Sequence, residues 1–258
     1  MLKRLLPVLA CLIFFNAAHA QRKNARVFYE AGISFKQNNN FLEALNSFAK
    51  AIALDKKFDS ALVETANIYS AAGRFDSAMV YYNKTLAVNP RSTAALIGMG
   101  KIYRDAQKGT DTAVNRMRLD SAIFYFNAAE ALDKTNKETY YALAWIYNAK
   151  KEHAKALPYA IRSLEIDNKY KPAYGELGYA YRSLKMYAEC IEQLKKNLAV
   201  SVVDVALLYS GYCYIELNNK EGAMQQYEGL LKVNEKMAAS LKKQIDARFP
   251  SPAAPAGN

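Results

Sequence analysis

The chain has 258 residues, 52% of them hydrophobic and 23% charged, which is enough apolar side chain to bury a core and excludes a globally disordered polymer. Its formal net charge of +11 admits anionic partners or surfaces, yet no basic-aromatic motif of the kind that reads nucleic acid accompanies it. Three cysteines without CxxC or zinc-type spacing exclude the common metal-ribbon and thiol-redox motifs.

The first element is a leader. Lys3 and Arg4 precede an apolar run from Leu5 to Phe15, and Ala18-His19-Ala20 has the small-x-small pattern of a cleavage site. The run is shorter than the about 20 residues that span a bilayer. Residues 1–20 are therefore expected to be a cleaved secretory signal. The mature form should carry no transmembrane segment and a charge of +9, since Lys3 and Arg4 leave with the signal. This predicts an exported chain of the periplasm or cell envelope, or a secreted one. Leu9-Ala10-Cys11 is similar to the end of a lipoprotein signal, but Leu12 to Phe15 stay apolar instead of forming a polar tether. Membrane association is expected only if Cys11 carries a lipid.

After a short basic lead at 21–24, two helices per unit are expected to follow one another. A unit at about 25–58 places Phe28, Ala31, Gly32 and Phe35 on one helical stripe, breaks at Asn38-Asn39-Asn40, and resumes with Phe41, Ala44, Phe48, Ala51 and Leu54. A unit at 59–92 repeats this with Leu62, Ala66 and Tyr69, a turn at Gly73, and Phe75, Ala78 and Tyr82 before Pro90. In the unit at 93–136 the period slips. Ala122 follows Ala78 by 44 residues instead of 34, so an insert at 108–120 is read as a loop on one edge of the array, with a longer helix or a hairpin as the alternative. Units at 137–170, 171–203 and 204–237 follow. Pro172 falls at the start of its helix, where its missing N–H is tolerated, and Pro158 is read as standing in a first helical turn. A capping helix at 235–248 and a flexible tail at 249–258 close the chain.

Aligned, the six units agree at three positions. Gly32, Ala66, Gly100, Ala144, Gly178 and Gly211 are small in the first helix, as are Ala44, Ala78, Ala122, Ala156, Cys190 and Ala223 at the start of the second. Helices approach to about 8 Å only where the crossing side chains are small. An aromatic follows the first small residue by three positions throughout: Phe35, Tyr69, Tyr103, Tyr147, Tyr181 and Tyr214. It is expected to fill the wedge beside the crossing. This pattern resembles the tetratricopeptide repeat, W-x2-L-G-x2-Y then A-x3-F then P. The departures are the missing tryptophan, replaced by Phe28, Leu62, Leu96, Tyr140, Tyr174 and Leu207, and the aromatic lost at Ala160 and Leu194, where looser packing is expected. The resemblance implies an all-α fold, a right-handed α-solenoid of six helix-turn-helix units plus a C-terminal capping helix.

Little reads as catalytic. His19 belongs to the leader, and His153 stands at the start of a second helix where other units carry Phe41, Phe75 and Tyr187, so it is expected to pack. No phosphate loop, HExxH or nucleophile elbow occurs, so no catalytic residue, cofactor or metal is expected. Cys190 and Cys213 sit at packing positions and read as buried thiols, with a bridge between adjacent units as the alternative. Members of the resembled family bind extended segments on the concave face of their first helices. That face, about 100° round from the packing stripe, carries the second, fifth, ninth and twelfth unit positions. These place Tyr141, Trp145, Tyr179 and Tyr212 in an aromatic strip flanked by Lys101, Arg104 and Arg182, and aromatics with arginine are the usual anchors of an interface. The positions of the family's carboxylate clamp hold Tyr29 and Ile33 instead, so that mode is not expected. The expected function is a non-enzymatic scaffold of the cell envelope binding a protein or peptide partner, with no nucleic acid. The alternatives are a chaperone-like assembly factor for exported proteins and a basic binder of envelope polyanions.

Overall fold

A computed structural model describes residues 21–105, 112–198 and 203–250; the expected signal with Cys11 and most of the expected tail lie outside them. The described residues are helices joined by short turns, in an all-α helical repeat solenoid. The chain divides into two compact units, one through Lys108 and one from Gly109. The first contains α1 (21–37), α2 (Phe41–Leu54), α3 (Asp59–Ala71), α4 (Phe75–Val88) and α5 (Thr93–Asp105). The second contains α6 (Thr112–Leu132), α7 (Lys137–Ala149), α8 (His153–Ile166), α9 (Lys171–Ser183), α10 (Tyr187–Leu198), α11 (Asp204–Glu216), α12 (Lys220–Leu231) and α13 (Glu235–Arg248).

The small residues hold the helices together. Ala44, Ala78, Ala122, Ala156, Cys190 and Ala223 are all fully buried, and so are Ala66 and Ala144. Each stands where one helix lies against another, and a longer side chain there would separate the axes. Gly32 meets Phe48 of its partner helix α2, so closely that an added Cβ would stand 2.5 Å from the ring. Gly178 behaves differently. Its neighbour is Tyr209 on α11 rather than α10, with an added Cβ 2.3 Å from that ring. The glycine thus sets the spacing between α9 and α11, the first helices of successive pairs.

The aromatic three residues beyond the small position does less packing than its pattern suggests. Tyr181 and Tyr214 are buried, but Phe35 is 37% exposed. What recurs is the role of its carbonyl. The oxygens of Phe35, Tyr69, Tyr147, Tyr181 and Tyr214 accept the N–H of the residue five positions on, at 2.8–3.0 Å. The residue before that donor is left-handed in each case: Asn39, Gly73, Lys151, Lys185 and Asn218, with φ of 59°, 72°, 61°, 60° and 61°. This is the Schellman closure of a helix C-terminus. The return turns use a different device. The side-chain oxygens of Asp55, Asn89, Asp133 and Asp167 accept the backbone N–H two residues on, at 2.8–3.2 Å. An Asx turn of this kind reverses the chain without a glycine. The side chain that ends the second helix then ties to the residue that opens the first. Asn89 donates to Asp59 at 2.6 Å, Asn234 to Asp204 at 2.8 Å, and Lys137 to Asp167.

Two sequence expectations are corrected, and the insert takes its longer-helix alternative. Residues 21–24 are helical, because α1 runs from residue 21 and buries Ala25. The insert is not a loop from Thr112 onward; it lengthens α6 to 21 residues, while its first residues lie outside the described ones. Pro158 lies inside α8, six residues from its start, so its missing N–H removes a bond to Ala154 that an interior position would make. Ala160 and Leu194 are fully buried despite the lost aromatic. A cavity of about 510 Å³ lies close by, lined by Tyr140, Tyr147, Tyr159 and Pro158 with Glu130, Lys155 and Arg162. Tyr159 stacks there between Tyr140 and Tyr147, at 6.5 and 5.4 Å between ring centroids.

Candidate partner-binding face

The first helix of each pair has a packing stripe and, about 100° round, a second face. In the first unit that face carries Lys36, Asn67, Lys101 and Arg104. Lys36 pairs with Glu64 at 2.6 Å, Asn67 accepts the Tyr82 hydroxyl at 2.7 Å, and Arg104 holds Asp105 through two hydrogen bonds at 2.7 and 3.1 Å. Lys101 and Arg104 both stand on α5 and are described with this unit alone.

The other five sequence-chosen residues stand in the second unit, on α7, α9 and α11. Tyr141 is half-buried and meets the ring of Tyr170 edge-on at 5.6 Å. Trp145 is half-buried one turn further along α7. Tyr179 is 49% exposed, the most open aromatic of the group, and its ring meets His153 edge-on at 5.4 Å. His153 is more than a packing residue. Its Nδ1 lies 3.0 Å from Asn148 Oδ1, and Asn148 donates its Nδ2 to both the backbone oxygen and Oε2 of Glu176, at 3.0 and 2.9 Å. One buried asparagine therefore joins α7, α8 and α9 beneath Tyr179.

Arg182 is the charged centre of this face. Its guanidinium lies 4.8 Å from the centroid of Tyr212, and an Nη is 3.7 Å from Glu216. Its Nε is shut off from solvent and has no hydrogen-bond acceptor among the described residues. With that Nε sealed in, only the rest of the side chain, which is 38% exposed, can meet a carboxylate or carbonyl from outside the chain. Tyr212 turns its hydroxyl toward Ser240 at 3.3 Å and meets Tyr209 at 90° with 6.0 Å between centroids. Tyr209 was not among the sequence candidates, yet it lies between Glu176 and Arg182. Burial, then the Glu176 charge, push its phenol above the ordinary range, with Arg182 pulling the other way. Its spacing of three from Tyr212 puts both on one helix face and was the available signal.

The comparisons with known proteins follow this geometry. Models of the tetratricopeptide repeat match residues 60–92, 137–170, 172–199 and 205–234. The Photosystem I assembly protein Ycf3 of Prochlorococcus marinus is 30% identical over 118 residues, which span 45% of this chain and 67% of that one. The chain belongs to the tetratricopeptide repeat (TPR) family. As a TPR protein it is a protein–protein interaction scaffold, and no described helix is long and apolar enough to cross a membrane. Two solved structures share the fold. YrrB, described as a TPR protein with an unusual peptide-binding site, superposes with a TM-score of 0.56 at 22% identity over 76% of this chain and 97% of that one. Pseudomonas aeruginosa pilF gives 0.65 at 15% identity over 87% and 99%.

Proposed function

We propose that this TPR protein is a non-enzymatic scaffold, exported to the cell envelope by its first twenty residues, that holds an extended segment of a partner protein on the α7–α9–α11 face. Tyr141, Trp145, Tyr179 and Tyr212 supply flat apolar contact, and Arg182 takes a carboxylate or carbonyl of the segment. Lys101 and Arg104 are the cationic positions of the same helix face in the first unit. The observation that carries this reading is the Arg182 side chain, 38% exposed and 4.8 Å over the Tyr212 ring, one turn from the open ring of Tyr179.

Photo-crosslinking from position 179 in the native cell, followed by mass spectrometry of the adduct, tests it. The expected outcome is one stoichiometric partner. Trp145→Ala with Tyr179→Ala should weaken its capture at least roughly 30-fold, since an interface anchor contributes about 2 kcal/mol or more, while helicity by circular dichroism stays unchanged. Full capture by the double variant overturns the assignment of the face. The Ycf3 relative is named for assembly, which favours a second reading, an assembly factor. That reading predicts several clients held weakly before they mature, in place of one lasting partner.

A further inference from the structure

The second-helix position that is small in every pair is alanine except on α10, where it is Cys190. The first-helix position following Ile33, Asn67, Lys101, Trp145 and Tyr179 is Ser34, Ile68, Ile102, Ile146 and Ala180, but after Tyr212 it is Cys213. Each cysteine departs from a register that elsewhere holds no thiol. The two departures meet. Both side chains are fully buried, and Cys213 Sγ points at Cys190 Sγ from 2.8 Å. Alanine fills the equivalent of Cys190 in the other pairs, so packing alone does not call for a sulfur there, still less for two facing each other.

We propose that Cys190 and Cys213 form a redox pair, closed into a disulfide that clamps α10 to α11 across the junction of successive helix pairs. The oxidant is a disulfide-bearing molecule, RS–SR, such as oxidised glutathione. One cysteine thiolate attacks a sulfur of RS–SR, forming a mixed disulfide and expelling RS⁻, which takes up the proton that the cysteine released. The second thiolate then attacks the first cysteine's sulfur, forms the Cys190–Cys213 bond and expels the second thiol. Two cysteine thiols and RS–SR become one intramolecular disulfide and two RSH. The two electrons pass to the oxidant. Full burial places this exchange during folding, or when α11 opens from α10. The closed loop ties down the helix that carries Tyr209 and Tyr212, so the pair governs how firmly one wall of the candidate face is held.

The full-length chain, equilibrated with oxidised or with reduced glutathione, is unfolded in an alkylating agent and mapped by protease digestion and mass spectrometry. Oxidation should yield a linked Cys190–Cys213 peptide, with neither residue alkylated, and reduction should yield both alkylated. The oxidised protein should melt roughly 5–10 °C above the reduced one, from the entropy of the closed loop. That gap should vanish in Cys190→Ala and in Cys213→Ala. Alkylation of both residues after oxidation, or their appearance only in bonds to Cys11 or to glutathione, overturns the proposal. The mapping uses the native sequence, so it stands even where an alanine variant folds poorly.

Discussion

Tyr209 covers Gly178 so closely that any side chain there must move the ring. Gly178→Ala is expected to destabilise the protein by about 1–3 kcal/mol, the range for overpacking, and Gly178→Leu by at least as much. Adding Tyr209→Ala to Gly178→Ala should cost less than the sum of the two single changes, because the two closest contacts, at 2.3 Å, go with the ring while the Cβ at 2.7 Å stays. Melting temperatures of the single and double variants measure the coupling, and strict additivity would mean that the contact is not the cause. The sequence pattern marks Gly178 as a place of close approach, and that is correct. It assigns the approach to α10, and that is not. A helix period tells which residues share a face but not which neighbour that face meets, and α9 touches both. The candidate site has the same divide. Tyr141, Trp145, Tyr179, Arg182 and Tyr212 follow from the 3.6-residue period together with the face that the family resemblance singles out. Asn148 and Tyr209 share that period, three residues from Trp145 and Tyr212, but Glu176 joins them only because successive pairs stack and bring it to Asn148.

At the scale of elements, the turns were the least legible part of the chain. Gly73, and the asparagines at 39 and 218, carry a turn signal because both residue types tolerate a left-handed backbone. Lys151 and Lys185 carry none, yet adopt φ of 61° and 60°. The constraint comes from the helix before them, whose aromatic residue must have its carbonyl capped by the residue after the turn. A lysine held there costs about 1–2 kcal/mol, part of which glycine would recover after its own loss of about 0.5–1 kcal/mol in chain entropy. Lys151→Gly and Lys185→Gly should therefore each stabilise by about 0.5–1 kcal/mol and raise the melting temperature by roughly 1–4 °C. The same substitution at Asn218 should gain less, since asparagine already tolerates the conformation. Equal gains at all three would show that backbone strain is not what the glycine relieves. The helical course of the insert has a related explanation. Thr112 to Asp120 lack a strong breaker, so α6 simply propagates through them once Leu119 and Ala122 are buried.

At the scale of the whole molecule, a repeat array is stabilised by its units and their nearest-neighbour contacts, so a local charge defect weakens the stretch that contains it. Among the described residues, four carboxylates are held below their ordinary range, and all stand in the second unit. The Thr135 hydroxyl and N–H lower Asp133, the Lys155 ammonium lowers Glu152, and Lys137 with the Lys169 N–H lowers Asp167. For Asp204 burial works the other way, but Asn234, Lys171 and the Val205 N–H together outweigh it. A carboxylate with a depressed folded value binds its proton more tightly when unfolded. Its contribution is complete above the unfolded values, 3.8 for aspartate and 4.5 for glutamate, and is lost as pH falls through the folded ones. Acid should therefore loosen the second unit, and Trp145, the one tryptophan of the chain, reports on that unit alone. Its emission should stay constant from pH 7 to about 5 and change below about 4. Asp167→Asn should be less stable than the native chain at pH 7 and should converge with it as pH falls below 3.8 and through the folded Asp167 value, where the charge that Lys137 recognises is lost. A stability difference that persists undiminished into acid would show that ionisation is not its cause, and no difference at pH 7 would assign the role of Asp167 to its Asx turn, which asparagine preserves.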